Sequence, residues 1–182
     1  MKRYKKKLKK IGILGGTFDP PHNGHLYISK LAIKKLKLYK LVWAVTKKNP
    51  LKKKPLLNLY KRVFYSKKFT EANRKIKVKS FDSIVKSSKT INLIRHIKGN
   101  YLNSEIFFLM GSDNLVNFHK WDQWRKISEL TKIVVFPRQG YSKKAMTCKA
   151  VKSLDKKKFL FIKSKKVNIS SSKIRKSYLR YN

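Results

Sequence analysis

Acidic side chains are scarce in this chain of 182 residues: eight Asp and Glu stand against 48 Lys and Arg, a formal net charge of +40. So few acids offer no carboxylate cage for a divalent cation, and no paired carboxylates for general acid and base work. Cysteine is scarcer still. Cys148 stands alone, which excludes a disulfide framework and a thiolate metal cluster, suits a reducing compartment and leads us to expect a cytoplasmic protein. Long apolar runs are also missing. The start, MKRYKKKLKK, has the charge of a secretory leader, but the IGILGG after it is short, broken by glycine and soon followed by Asp19. Such a run makes a poor secretory core and is far too short to span a bilayer, so no membrane attachment is expected.

What is present suffices for a folded core. Apolar residues make up 41% and aromatics 12%, and they cluster in blocks such as LVWAV (41–45), IFFLM (106–110) and IVVF (133–136), which a disordered chain would not do. The positive charge attracts polyanions in general, so nonspecific binding to them is expected. The lysines are spread along the whole chain rather than gathered in one arm, and Lys reads phosphate or base edges less well than Arg. We read the excess as a compositional bias on a solvated surface, with self-repulsion that counter-ions relieve and stability that rises with salt.

Short apolar runs alternate with helical patterns. Strands are expected at Ile11–Leu14, Leu41–Val45, Ile76–Lys79, Ile106–Met110, Ile133–Phe136 and Phe159–Ile162. Between them, one amphipathic helix carries Leu26, Ser29, Ile33 and Leu36 on one face. A second is marked by Leu56, Leu59, Tyr60, Val63 and Phe64, and two more cover Thr90–Ile97 and Trp121–Leu130. Residues 138–158 are Lys-rich and weakly periodic, which suggests a loop. The alternation predicts an α/β fold, Rossmann-like and doubly wound, its sheet mainly parallel with helices on both faces, in one domain over residues 1–182. An oligomer is left open.

The first strand runs into Gly15-Gly16-Thr17-Phe18-Asp19-Pro20-Pro21-His22-Asn23-Gly24-His25 and then a helix. Ligands of open α/β sheets bind beyond the carboxyl ends of the strands. Paired glycines there let backbone amides approach a phosphate, and the helix start near Gly24 aims its positive end at the same place. His22 and His25 are three apart, so both can face one anion. A plain turn, or a metal pair, would use the same residues, yet nothing at ligand spacing completes a zinc site. Near the other end, Ser170 and Ser171 are good N-caps for a helix running to about Tyr181, where free amides, hydroxyls and Arg175 would converge on another anion. Taken by itself, that segment reads as an ordinary capped helix with a surface arginine.

Together the two segments resemble the nucleotidylyltransferase superfamily. His22-Asn23-Gly24-His25 matches its HxGH core, and Ile169-Ser170-Ser171-Ser172-Lys173-Ile174-Arg175 matches its ISSTxIR signature with Ser172 in place of Thr. Over nearly its whole length the chain resembles the bacterial nicotinate-mononucleotide adenylyltransferases, most specifically in Gly111-Ser112-Asp113-Asn114-Leu115 followed by Phe118-His119-Lys120-Trp121. The resemblance implies that the chain joins the AMP moiety of ATP to nicotinate mononucleotide and releases pyrophosphate, with Mg²⁺ bound mainly through the ATP phosphates. It further implies that His22, His25 and Arg175 act on the phosphates, with His25 the contact to the α-phosphate. Gly15, Gly16, Thr17, Phe18, Gly24, Gly111, Asp113, Ser171 and Ser172 would hold ATP. Lys52, Ser88, Thr90 and Trp121 would hold the mononucleotide, Trp121 stacking on the pyridine ring.

Two stretches depart from the family. Its SYTxDTL is here Ser88-Lys89-Thr90-Ile91-Asn92-Leu93-Ile94, and its PPHK loop is Asn49-Pro50-Leu51-Lys52. Both lie near the pyridine nucleotide in the family, and the cation at Lys89 would favour an acid over an amide on that ring. Rival readings are a related transferase acting on nicotinamide mononucleotide or phosphopantetheine, and, from another class, a basic nucleic-acid-binding module without catalysis.

Overall fold

The computed structural model describes residues 8–49, 54–164, 169 and 171–178. The six expected strands form within one or two residues of their predicted ends: β1 (Lys9–Gly16), β2 (Lys40–Val45), β3 (Ile76–Lys79), β4 (Ser104–Gly111), β5 (Lys132–Phe136) and β6 (Phe159–Phe161). Every pairing is parallel, and the order across the sheet is β3-β2-β1-β4-β5-β6. The chain therefore winds outward in one direction from β1 and in the other from β4. A doubly wound sheet opens a crevice at the carboxyl ends of its central strands, where that order reverses.

Alternation along the strands supplies both faces. Ile11, Ile13, Ile106, Phe108 and Met110 point into one core. Trp43, Phe107, Leu109, Val134 and Phe136 point into the other. The second face is covered by α1 (Asn23–Leu36) and α2 (Leu59–Thr70). The first is covered by α3 (Thr90–Asn100), α4 (Ser112–Val116), α5 (Trp124–Leu130), α6 (Ser142–Met146) and α7 (Lys149–Ser153). At Gly12 the strand passes so close to Leu38 and Leu41 that an added Cβ would lie 2.7 and 2.5 Å from their methyl carbons.

The structure differs from the sequence-based expectation in four places. Residues 138–158 are not a loop: they hold α6 and α7, and they bury Ala145, Cys148 and Ala150. Their short helices pack through small side chains, which give almost no amphipathic signal. In α2 the apolar set is turned largely outward, with Tyr60 and Phe64 exposed, while Arg62, Ser66 and Thr70 are buried. Trp121 does not begin a helix. A short 3₁₀ turn at Phe118–Lys120 precedes it, its own backbone is extended, and Gln123 adopts a left-handed conformation before α5 starts at Trp124. Finally, β6 stops at Phe161, one residue short. The C-terminal helix, α8, runs over Ser171–Tyr178; Ser170 and residues 179–182 lie outside the described residues.

Candidate functional site

A cleft of about 740 Å³ opens at the carboxyl ends of the strands, within the size range of small-ligand sites. Its floor begins at Gly15 and Gly16, which end β1 in register with Ala44 and Val45 of β2. The turn after β1 is held from three sides. Phe18, with φ of 48°, folds its ring under the turn and stacks on Trp43 at 4.7 Å. The buried Trp43 indole N–H donates to Ser29 Oγ (2.8 Å), and that hydroxyl donates to the His25 carbonyl (2.7 Å). The first turn of α1 is thus tied to β2, and with it the histidine pair.

His22 and His25 stack at 3.8 Å between ring centroids, and both line the cleft. The His22 backbone N–H donates to His25 Nδ1 at 3.3 Å. A neutral imidazole accepting at Nδ1 carries its proton on Nε2. His22 is buried, and among the described residues neither of its ring nitrogens has a hydrogen-bond partner. Burial, reinforced by the nearby Arg138 guanidinium, holds its pKa down at about 4, so the ring is neutral at pH 7.

The C-terminal segment meets this turn. Ser171 Oγ donates to the Pro20 carbonyl at 2.9 Å, and Arg175 Nη1 donates to the Asp19 carbonyl at 2.7 Å. The same guanidinium stands 3.4 Å from the Asp19 carboxylate and donates to Ser172 Oγ at 3.1 Å. Asp19 is itself buried and accepts from the backbone N–H groups of Leu56 and Leu57. Two helix starts of opposite chain ends therefore share one cleft.

Of the residues singled out from sequence, Gly15, Gly16, Thr17, Phe18, His22 and His25 line the cleft, as do Ser171, Ser172 and Arg175. So do Ser88 and Thr90 at the start of α3, and Asp113 and Trp121 beyond β4. Gly24 and Gly111 do not reach it; they line a small gap of about 20 Å³ beside it. Gly111 is nonetheless constrained, because an added Cβ would collide with the Asp113 carboxylate. Lys52 lies outside the described residues. Trp121 and Trp124 have parted ways. Trp124 is packed in the core, while Trp121 leans edge-on against Phe118 and Phe108 and lines the cleft.

Sequence reasoning missed four supporting residues. Arg62, 2% exposed, fans its guanidinium onto the carbonyls of Thr17 (2.6 Å), Thr46 (2.7 Å), Lys47 (3.0 Å) and Leu57 (2.9 Å). It clasps the ends of β1 and β2 together. Asp82 accepts from Thr46 Oγ1 and the Lys47 amide, fixing the same loop from the other side. Arg138 donates to the Ile169 carbonyl and pairs at 3.6 Å with Asp113, joining the β5 end to the C-terminal segment. Asp19 stood inside the recognised motif but had been given no role. The available signal was the choice of Arg in a Lys-rich chain: the planar fork can serve several acceptors at once, which an ammonium does less well.

The chemistry this supports is anion binding at one end of the cleft and flat apolar groups at the other. Phe81, Val85, Leu93, Phe108 and Trp121 line that second end. Among the described residues no group of three or more His, Cys, Asp or Glu could hold a metal ion, and no helix is long and apolar enough to cross a membrane.

Comparison with known proteins points the same way. The model of the cytidylyltransferase-like family matches residues 13–177. The chain is 49% identical over 174 residues to the "Probable nicotinate-nucleotide adenylyltransferase" of Pelagibacter ubique, covering 93% of this chain and 94% of that one. It is 36% identical over 146 residues to a protein of the same name from Rhizobium etli, covering 80% and 76%. Among solved structures, the Plasmodium falciparum nicotinic acid mononucleotide adenylyltransferase complexed with NaAD shares the fold. Its TM-score is 0.72 at 20% identity, over 92% of this chain and 83% of that one.

Proposed function

This chain belongs to the cytidylyltransferase-like family, and within it to the nicotinate-nucleotide adenylyltransferases, and from that premise we propose how its cleft carries out the transfer. The reaction joins the AMP moiety of ATP to nicotinate mononucleotide, giving nicotinate adenine dinucleotide and pyrophosphate. The 5′-phosphate of the mononucleotide attacks the α-phosphorus in line, the bond to the bridging oxygen breaks, and pyrophosphate leaves with the electron pair. A phosphate monoester is already largely ionised near neutral pH. The nucleophile therefore needs no general base, and catalysis rests on positioning and on stabilising charge.

Each part of the cleft has a task in this reading. His25 presents Nε2–H to the α-phosphate as charge builds on its oxygens. His22, held neutral, contributes a hydrogen bond rather than a full charge, and a phosphate oxygen would satisfy its buried ring nitrogen. Ser171, Ser172 and Arg175 hold the β- and γ-phosphates, with Asp19 aiming the guanidinium. Thr17 and the Gly15–Phe18 backbone line the nucleotide turn. The pyridine ring enters the apolar end against Trp121, beside Ser88 and Thr90. Of the carboxylates at or beside the cleft, Asp19 and Asp82 are engaged by backbone amides while Asp113 and Asp122 pair with Arg138 and Lys89, so Mg²⁺ would be held mainly by phosphate oxygens and water and would offset phosphate charge.

The single observation that carries this reading is the junction of the two helix starts, Ser171 on Pro20 and Arg175 on Asp19, around one cleft. The decisive assay is pyrophosphate release from ATP and Mg²⁺ with nicotinate mononucleotide, nicotinamide mononucleotide or phosphopantetheine as acceptor. Release with the first acceptor is expected. No release with any acceptor, from protein of native circular dichroism, would end the proposal.

A further inference from the structure

At the apolar end of the cleft, Lys89 Nζ stands 3.6 Å from the Asp122 carboxylate. Both residues line the cleft. Lys89 is the residue before α3, and Asp122 follows Trp121 directly. The ion pair thus links the two walls of the slot where a flat ring would lie. A second tie runs parallel to it, from Arg95 Nη2 to Gln123 Oε1 at 2.8 Å. That tie holds the walls in place whether or not the ion pair is made.

We propose that Lys89 and Asp122 form an exchangeable pair that selects an acidic ring substituent on the mononucleotide: the substrate carboxylate displaces Asp122 as the partner of Lys89. This rests on the adenylyl-transfer reading above. With the phosphate end fixed by His22, His25 and Arg175, the aromatic ring points toward Trp121 and its substituent reaches the Lys89 rim. A carboxylate competes there for the ammonium, whereas a neutral amide leaves the ion pair in place and gains nothing from it. Asp122 is thereby a specificity residue acting through Lys89: it competes with the acid alone and so tempers the preference that Lys89 creates. Both side chains are about half exposed, so the effect is modest and screened by salt.

Opposite signs test the idea. The ratio of kcat/KM for nicotinate mononucleotide to that for nicotinamide mononucleotide is measured at low ionic strength for wild type, Lys89→Met, Asp122→Asn and the double variant. Lys89→Met should lower the ratio about fivefold, and Asp122→Asn should raise it about two- to threefold. In the double variant the Asp122→Asn gain should vanish, because Asp122 acts only through Lys89. Two controls remove equal charge elsewhere. Lys126 pairs with Glu129 on the surface of α5, and Lys120 lines the same cleft. A ratio unmoved by Lys89→Met, or moved equally by Lys126→Met or Lys120→Met, overturns the proposal, as does a gain from Asp122→Asn that persists without Lys89. Wild-type protein inactive on both substrates would instead strike at the adenylyl-transfer reading.

Discussion

His22 enters the fold as a neutral ring because burial, with Arg138 nearby, sets its pKa at about 4. In the unfolded chain it titrates near 6.5. Between those values the unfolded state binds more protons, so its contribution to stability is whole above about pH 6.5 and is lost as pH falls to about 4. Urea unfolding at pH 7 and pH 4.5 should therefore show a larger loss for wild type than for His22→Gln; equal losses would contradict the assignment. His25 is tested by rate rather than by stability. His25→Ala should cut kcat by on the order of 100-fold, as loss of a donor to developing charge does, while unfolding shifts little. Activity within a few-fold of wild type would exclude it. At this scale the histidine pair, Ser171 and Arg175 were legible from motif and spacing. Asp19 was in plain view but its task was not, since being buried and bonded to Leu56 and Leu57 depends on contacts across some 37 residues. Gly24 and Gly111 line a small gap beside the cleft rather than the cleft itself, and at Gly111 the Asp113 and Arg138 side chains limit the Cβ space.

The central strands were legible because burial on both faces demands nearly unbroken apolar runs, and the parallel pairing followed from the alternation of strands with helices. Helix faces were less so. The α2 pattern suggested an apolar contact stripe, yet its buried stripe is Arg62, Ser66 and Thr70. Beside the packing of Leu59, Val63 and Phe69, α2 is seated by a buried cation that serves four carbonyls, and hydropathy does not register that. Arg62→Met should destabilise the fold by on the order of 3 kcal/mol in urea titrations, because it strips charge-assisted hydrogen bonds from buried carbonyls. Arg62→Lys should recover only part, as an ammonium cannot span the same acceptors. On the sheet, Gly12→Ala should cost about 1–3 kcal/mol by overpacking against Leu38 and Leu41. A neutral result would mean that those two leucines repack freely.

For the whole molecule, a charge of +40 on 182 residues sets the largest electrostatic term. Salt weakens exposed pairs such as Lys126–Glu129 and Lys132–Glu105, but each contributes little. It also screens repulsion among the surplus cations, which far outnumber the pairs, so the second effect should win. The melting temperature should climb between about 50 mM and about 500 mM NaCl, and a flat or falling curve would show that the lysines are too dispersed to matter. The sequence showed this imbalance at once, and the resemblance of its two outer motifs implied that they meet, as Ser171 on Pro20 and Arg175 on Asp19 do. The Asp19–Arg175 contact has a consequence for synthesis. A ribosome extrudes Asp19 156 residues before Arg175, so the turn after β1 must wait for its partner while the whole sheet is made. On the proposed reading, a nascent chain stalled short of Ser171 should transfer no nucleotide, whatever part of it has already folded.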